Sequence, residues 1–104
     1  SAPAIPPGSS AEQVAAGDKV FHTTTCAACH GPDAKGTSLG PNLTAGAWLW
    51  GDGSLAALHD TIQKGVSAPK QYRSPMPPMG GAQLSDADLA AVAAYVWSVG
   101  HKAP

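Results

Sequence analysis

The chain has 104 residues, a net charge of -1 with the histidines neutral, and only 12% charged residues, about half the usual share. That length gives one domain with a modest core. No lysine or arginine stands beside another, which excludes both a nucleic-acid footprint and a polybasic membrane patch.

Residues 1–10, "SAPAIPPGSS", have neither a basic head nor an apolar run and read as an extended arm or linker rather than a signal peptide. Such a start suits an exported protein after cleavage, or a domain tethered to a longer chain by a proline-rich segment. Residues 11–104 are then the domain. A first helix is predicted over about 11–23. Ser10 is its N-cap, Glu12 lies in its first turn, and Val14, Gly17 and Phe21 recur at helical spacing. Residues 31–53 carry glycines and prolines at short intervals and read as loop, with one turn around Ala45 to Leu49. A loop of that length points to function.

"SLAALHDTIQKG" predicts a second helix, capped by Ser54 and Gly65, with Leu55, Leu58, His59 and Ile62 on one face. A proline-rich loop, "APKQYRSPMPPMGG", follows it. The third main helix opens with a Ser85 N-cap and Asp88 in a capping-box arrangement, buries Leu89, Val92, Ala93, Val96 and Val99, and ends at Gly100. No run alternates with period two, and no segment repeats at a fixed period. No apolar stretch approaches the roughly 18 residues of a membrane span. The expected class is all-α with long loops.

The chemistry concentrates in "TTTCAACHGPDAKG", where the only two cysteines stand three apart with a histidine directly after the second. Cys-x-x-Cys-His is the attachment motif of c-type haem: two thiols add across the porphyrin vinyl groups, and the adjacent imidazole reaches the iron. One helical turn across Cys26 to His30 puts both sulfurs at one porphyrin edge. Three other readings remain for these residues. A dithiol redox site needs the pair at the start of a helix after a strand in a βαβ unit, whereas a helix and threonines precede it. A zinc site needs two further ligands at suitable spacing, and His59 and His101 lie far off in sequence. A plain disulfide closes so short a loop that it constrains the unfolded chain only weakly.

With iron bound, the opposite face holds either a sixth ligand or an opening for substrate, and this separates a carrier from an enzyme or gas sensor. Met76 and Met79 are the leading candidates, because prolines stiffen the "SPMPPMGG" loop that carries them. A methionine is otherwise a flexible core filler. His59 reads as a structural histidine on or beside an apolar face, and His22 and His101 read as solvated.

The order of first helix, "CAACHG", "GPNL", middle helix, "MPPMGG" and "AAYVWS" resembles the class I c-type cytochromes over about positions 11–100. Within that family it is similar to small bacterial carriers and to the haem c domains attached to haem-copper oxidases. The resemblance implies a cytochrome c fold, three main helices and long loops around one covalent haem c. It implies thioether positions at Cys26 and Cys29, His30 as proximal ligand, and Met76 as distal ligand, with Met79 as a wall residue. Pro41 would accept the imidazole Nδ1–H and Leu43 would pack on the porphyrin; Trp48, Trp50 and Arg73 are candidates to bond the propionates, each tryptophan serving equally well to seal the pocket. Gly17 and Phe21 would cross the last helix at Val92 and Tyr95.

The implied function is one-electron transfer between a donor and an acceptor redox protein of a respiratory or periplasmic chain, by a monomer with no catalytic residues of its own. Periplasm or an equivalent exported space is the implied location, possible tethering being through the N-terminal arm. The alternatives are the electron-input domain of a larger oxidase, reductase or dehydrogenase, and a haem enzyme or gas sensor with an open distal site.

Overall fold

The computed structural model describes residues 4–24, 26–37, 42–44, 54–66, 76, 78–81 and 83–101. The expectations placed on Pro41, Trp48, Trp50 and Arg73, and on a turn at 45–49, lie outside the described residues.

Helix α1 spans Ala11–Thr23, and the Ser10 side chain accepts from the Gln13 amide at its N-terminus. This satisfies one of the amide groups that every helix start leaves without an intrahelical partner. Its buried residues are Val14, Gly17 and Phe21, the three that the periodicity selects. Helix α2, Cys26–His30, is a short turn that carries the whole Cys-x-x-Cys-His motif. Helix α3, Leu55–Lys64, runs between the Ser54 N-cap and the Gly65 C-cap and buries Leu58 and Ile62. Leu55 and His59 stay half-buried at the edges of that face. A 3-10 turn at Pro78–Gly81 leads towards helix α4, Asp86–Gly100, whose start is capped by the Ser85 hydroxyl on the Asp88 amide.

Helices α1 and α4 make the largest contact, α3 packs on α4 and on the 3-10 turn, and α2 leans on α1. The core joins Phe21, Cys26, Ala34, Leu58, Ile62, Leu89, Val92, Ala93 and Val96. Each large apolar side chain buried here contributes about 1.5–3 kcal/mol relative to exposure.

Two expectations about α4 change. Ala91, Ala94 and Ser98 are buried in addition to the predicted stripe, because α1 and α3 both cover this helix. Val99 is only half-buried and lines a surface groove with Val14, Ala15 and Tyr95. The helix ends at Gly100 as expected, with His101 in the C-cap position. Near the N-terminus Pro6 is fully buried and its carbonyl accepts from Ser9, so this part of the arm lies on the protein surface instead of extending freely.

Candidate haem site

Cys26 and Cys29 are both free thiols, Cys26 buried and Cys29 half-buried. A helix running through the motif places the two sulfurs on one side, one turn apart. The Thr24 hydroxyl meets the Cys26 sulfur at 3.4 Å, and the Thr37 hydroxyl donates to the Cys29 carbonyl. Helix α2 ends at Gly31, whose amide donates to Ala27 O at 2.9 Å and whose φ of +87° suits glycine. The chain then folds back tightly: Gly36 N donates to His30 O at 2.8 Å, and Ala34 N to Gly31 O at 3.1 Å. Ala34, wholly buried, takes a positive φ of 61° and accepts from Leu43 N at 2.7 Å. This bond brings Leu43 back from the loop to the core beside α2.

His30 is half-buried, and its ring lies 6.5 Å from the Phe21 ring, centroid to centroid. Phe21 also contacts Tyr95 at 5.2 Å. The α1–α4 crossing therefore supports the histidine of the motif through one aromatic ring. Gly17 makes that crossing close: a Cβ built on it would stand 1.9 Å from Ala91 O and 2.8 Å from Tyr95 Cβ. The crossing that the resemblance implies is thus present, with Phe21 and Val92 both in the core.

Met76 is held by its backbone. It forms an isolated antiparallel bridge with Val66, with Val66 N to Met76 O at 2.7 Å and Met76 N to Val66 O at 2.9 Å. Val66 directly follows the Gly65 cap of α3, so the end of that helix sets the position of Met76. Sequence reasoning passed over Val66. The glycine cap followed by a β-branched residue was the available signal, but the pairing partner stands ten positions away. Met79 lies within the 3-10 turn, with φ 55°. Pro78 starts this turn, where a missing amide hydrogen costs nothing.

Met76, Met79, Leu43, Leu55 and Trp97 are half-buried and border the cluster that contains Cys26. Helix α2 makes at most slight packing on α3 or the 3-10 turn. The donor set suits a c-type haem: two unpaired thiols and an imidazole on one helix, with two thioethers bordering the same apolar cluster.

Two histidines differ from expectation. His22, expected to be solvated, is exposed on one side but engaged at both ring nitrogens: Nδ1 lies 2.8 Å from Asp18 O and 2.7 Å from Asp18 Oδ1, and Nε2 meets Pro32 O. The hydrogen bonds to the Pro32 and Asp18 carbonyls, with the Asp18 charge adding to them, raise its pKa above the ordinary 6.5 against a smaller effect of burial. His101, also expected to be solvated, stacks on Trp97 with ring centroids 4.0 Å apart, its Nδ1 2.8 Å from Trp97 O. Both pairs are four residues apart, which puts them on one helix face.

A family model described as cytochrome c matches residues 14–100. The chain belongs to the cytochrome c family. Cytochromes c transfer electrons through covalently bound haem, and the matched span includes the Cys-x-x-Cys-His motif, Met76 and Met79. The chain is 45% identical over 87 residues to the cbb3-type cytochrome c oxidase subunit CcoP of Rhodobacter capsulatus, covering 82% of this chain and 29% of that protein. It is 39% identical over 88 residues to the subunit FixP of Azorhizobium caulinodans, covering 83% and 29%. The chain thus spans under a third of the length of these curated relatives. Among solved structures, cytochrome CL of Methylophaga aminisulfidivorans superposes with a TM-score of 0.64 at 29% identity, over 82% of this chain and 51% of that one. The all-α cytochrome c fold is therefore established for this domain.

Proposed function

We propose that this cytochrome c domain holds one haem c and passes single electrons between a donor and an acceptor redox protein on the outer side of a membrane. When bound, haem c supplies an iron that takes up and releases one electron. Cys26 and Cys29 would hold the group by thioether bonds, and His30 and Met76 would offer an imidazole and a thioether to its iron. Met79, Leu43 and Trp97 form an apolar wall that keeps water away. Pro41 would orient His30, and Trp48, Trp50 and Arg73 would be the candidates to bond the propionates. The donor loses the electron that the domain gains, and the acceptor receives the same electron, so no substrate bond is made or broken.

The observation that carries this reading is the placement of both free thiols and the motif histidine on one short helix, with two methionines bordering the same apolar cluster. A second reading, that the domain is the electron-input part of a larger oxidase, shares the same chemistry and is favoured by its relatives among cbb3-type oxidase subunits. The N-terminal arm is then the tether, and the periplasm is the place of work. Among the described residues no helix is long and apolar enough to cross a membrane.

Reductive titration of the haem-loaded protein tests the proposal. One electron taken up reversibly per chain, with no carbon monoxide bound by the reduced protein at neutral pH, is the expected result. Ready carbon monoxide binding in the folded protein would instead make it an enzyme or sensor with an open distal face.

A further inference from the structure

His22 has no part in electron transfer as described above, yet its surroundings are specific. Its Nδ1 faces the carbonyl and carboxylate oxygens of Asp18, and its Nε2 faces the carbonyl oxygen of Pro32. All three partners are acceptors only. An imidazole that meets acceptors at both nitrogens needs a proton on each, and is then a cation. The contact also spans two elements, since Asp18 lies on α1 and Pro32 stands two residues after His30, in the turn that closes α2.

We infer that His22 is a positioning residue for the haem-binding helix: doubly protonated, it fastens α1 to the turn after His30, and loss of one proton releases that turn. The inference rests on the reading of His30 as the haem-facing imidazole.

Chemistry determines which contact is lost. A neutral ring donates from one nitrogen only, and Nδ1 has two acceptors on Asp18 against the single Pro32 carbonyl at Nε2. The Pro32 bond therefore breaks. The turn that it held includes the bonds from Gly36 N to His30 O and from Ala34 N to Gly31 O. Phe21 touches both His22, at 5.1 Å, and His30, at 6.5 Å, so the released corner adjoins the motif histidine.

The charged and titratable groups at this corner are Asp18 and Lys19 on α1, His30 on α2, Asp33 and Lys35 in the turn, and Tyr95 on α4. The Tyr95 ring lies 6.0 Å from that of His22. Burial raises the Tyr95 pKa, and the charges of Asp18 and Asp33 raise it further, so the phenol stays neutral over the range in question. The Asp18 carboxylate favours the cation on His22. Because His22 binds its proton more tightly in the fold, the fastening is complete below pH 6.5 and is lost as pH rises through its folded value. A cation here also disfavours the extra positive charge of ferric iron, so the reduction potential should step downward over the same pH range.

The test uses haem-loaded protein, with His22→Gln as a donor that does not titrate and Asp18→Asn as a second variant. Proton NMR follows the His22 ring, amide exchange follows Ala34 and Gly36, and redox titration follows the potential, all as functions of pH. The expected outcome is a His22 midpoint above 6.5, exchange at Ala34 and Gly36 that accelerates several-fold beyond base catalysis over that range, and a potential step aligned with both. His22→Gln should abolish the step without changing the absorption spectrum, and Asp18→Asn should move it to lower pH. A step that persists in His22→Gln, or one unmoved in Asp18→Asn should the first variant fail to fold, would overturn the role. A His22 that titrates at or below 6.5 would overturn the fastening itself. Exchange that tracks His22 with a flat potential would overturn the link to haem and point to His30 as the failed premise.

Discussion

Gly17→Ala sets two effects of opposite sign against each other. Gly17 lies inside α1, where alanine is intrinsically better by up to about 1 kcal/mol. Against this, the new Cβ would stand 1.9 Å from Ala91 O, 2.5 Å from Ala91 C and 2.8 Å from Tyr95 Cβ. Two of these three atoms are backbone, so no rotamer change relieves them. Restoring an ordinary separation of about 3.3 Å requires α1 and α4 to part by about 1.4 Å along that direction. Both helices bring their largest core residues, Phe21, Leu89 and Val92, to this side of the fold, and in a close-packed interior a gap of that size forfeits much of the dispersion contact. Overpacking costs typically 1–3 kcal/mol and sometimes more, and a clash with backbone belongs at the upper end. The net loss is therefore about 2 kcal/mol or more, a fall in Tm of roughly 8–16 °C for a domain of this size. Thermal unfolding of the haem-loaded protein, followed by far-ultraviolet circular dichroism, measures it. A variant as stable as the parent would refute the close approach and leave helix propensity as the governing effect.

Cys26→Ala with Cys29→Ala, made without haem, should leave the chain largely disordered, since a domain this small buries only about 65% of its unfolded surface; circular dichroism should lack a cooperative transition. Stability should decline as pH rises from 6.5 through the folded-state pKa of His22, because the raised pKa contributes its full stabilisation only below that window; denaturant midpoints at successive pH values, compared with His22→Gln, check the sign. Electron exchange with a partner should depend only mildly on salt, because the net charge is -1 and the surface near Cys26 offers Thr24, Ala27 and Ala28 rather than charge; a steep fall in association rate between low and physiological salt would contradict this.

The helices were legible because their signals are local. Ser10, Ser54 and Ser85 each cap the helix that follows, and Val14, Gly17 and Phe21 repeat at the helical period. The buried set of α4 was read too narrowly, because one stripe describes a helix with one neighbour and this helix has two. At the site, the Cys-x-x-Cys-His motif named its own cofactor. What escaped was contact between distant segments: Val66 with Met76, His22 with Pro32, and Ala34 with Leu43 are backbone or ring-to-carbonyl bonds whose partners carry no distinguishing side chain. His101 on Trp97 is within reach of the sequence, since the four-residue spacing alone puts the pair on one face.

With His30 and Met76 as its two ligands, a bound haem would give the ferric protein a sulfur-to-iron charge-transfer absorption, which tests that ligation most directly. Met76→Ala should abolish that band, lower the potential and let the reduced protein bind carbon monoxide. Met79→Ala should keep the band and lose packing stability alone, near the low end of the roughly 2–5 kcal/mol typical of buried methionine truncation, because Met79 is only half-buried. The reverse pattern would move the ligand to Met79, and a band unaffected by either substitution, or absent from the parent protein, would contradict methionine ligation and with it the closed electron carrier.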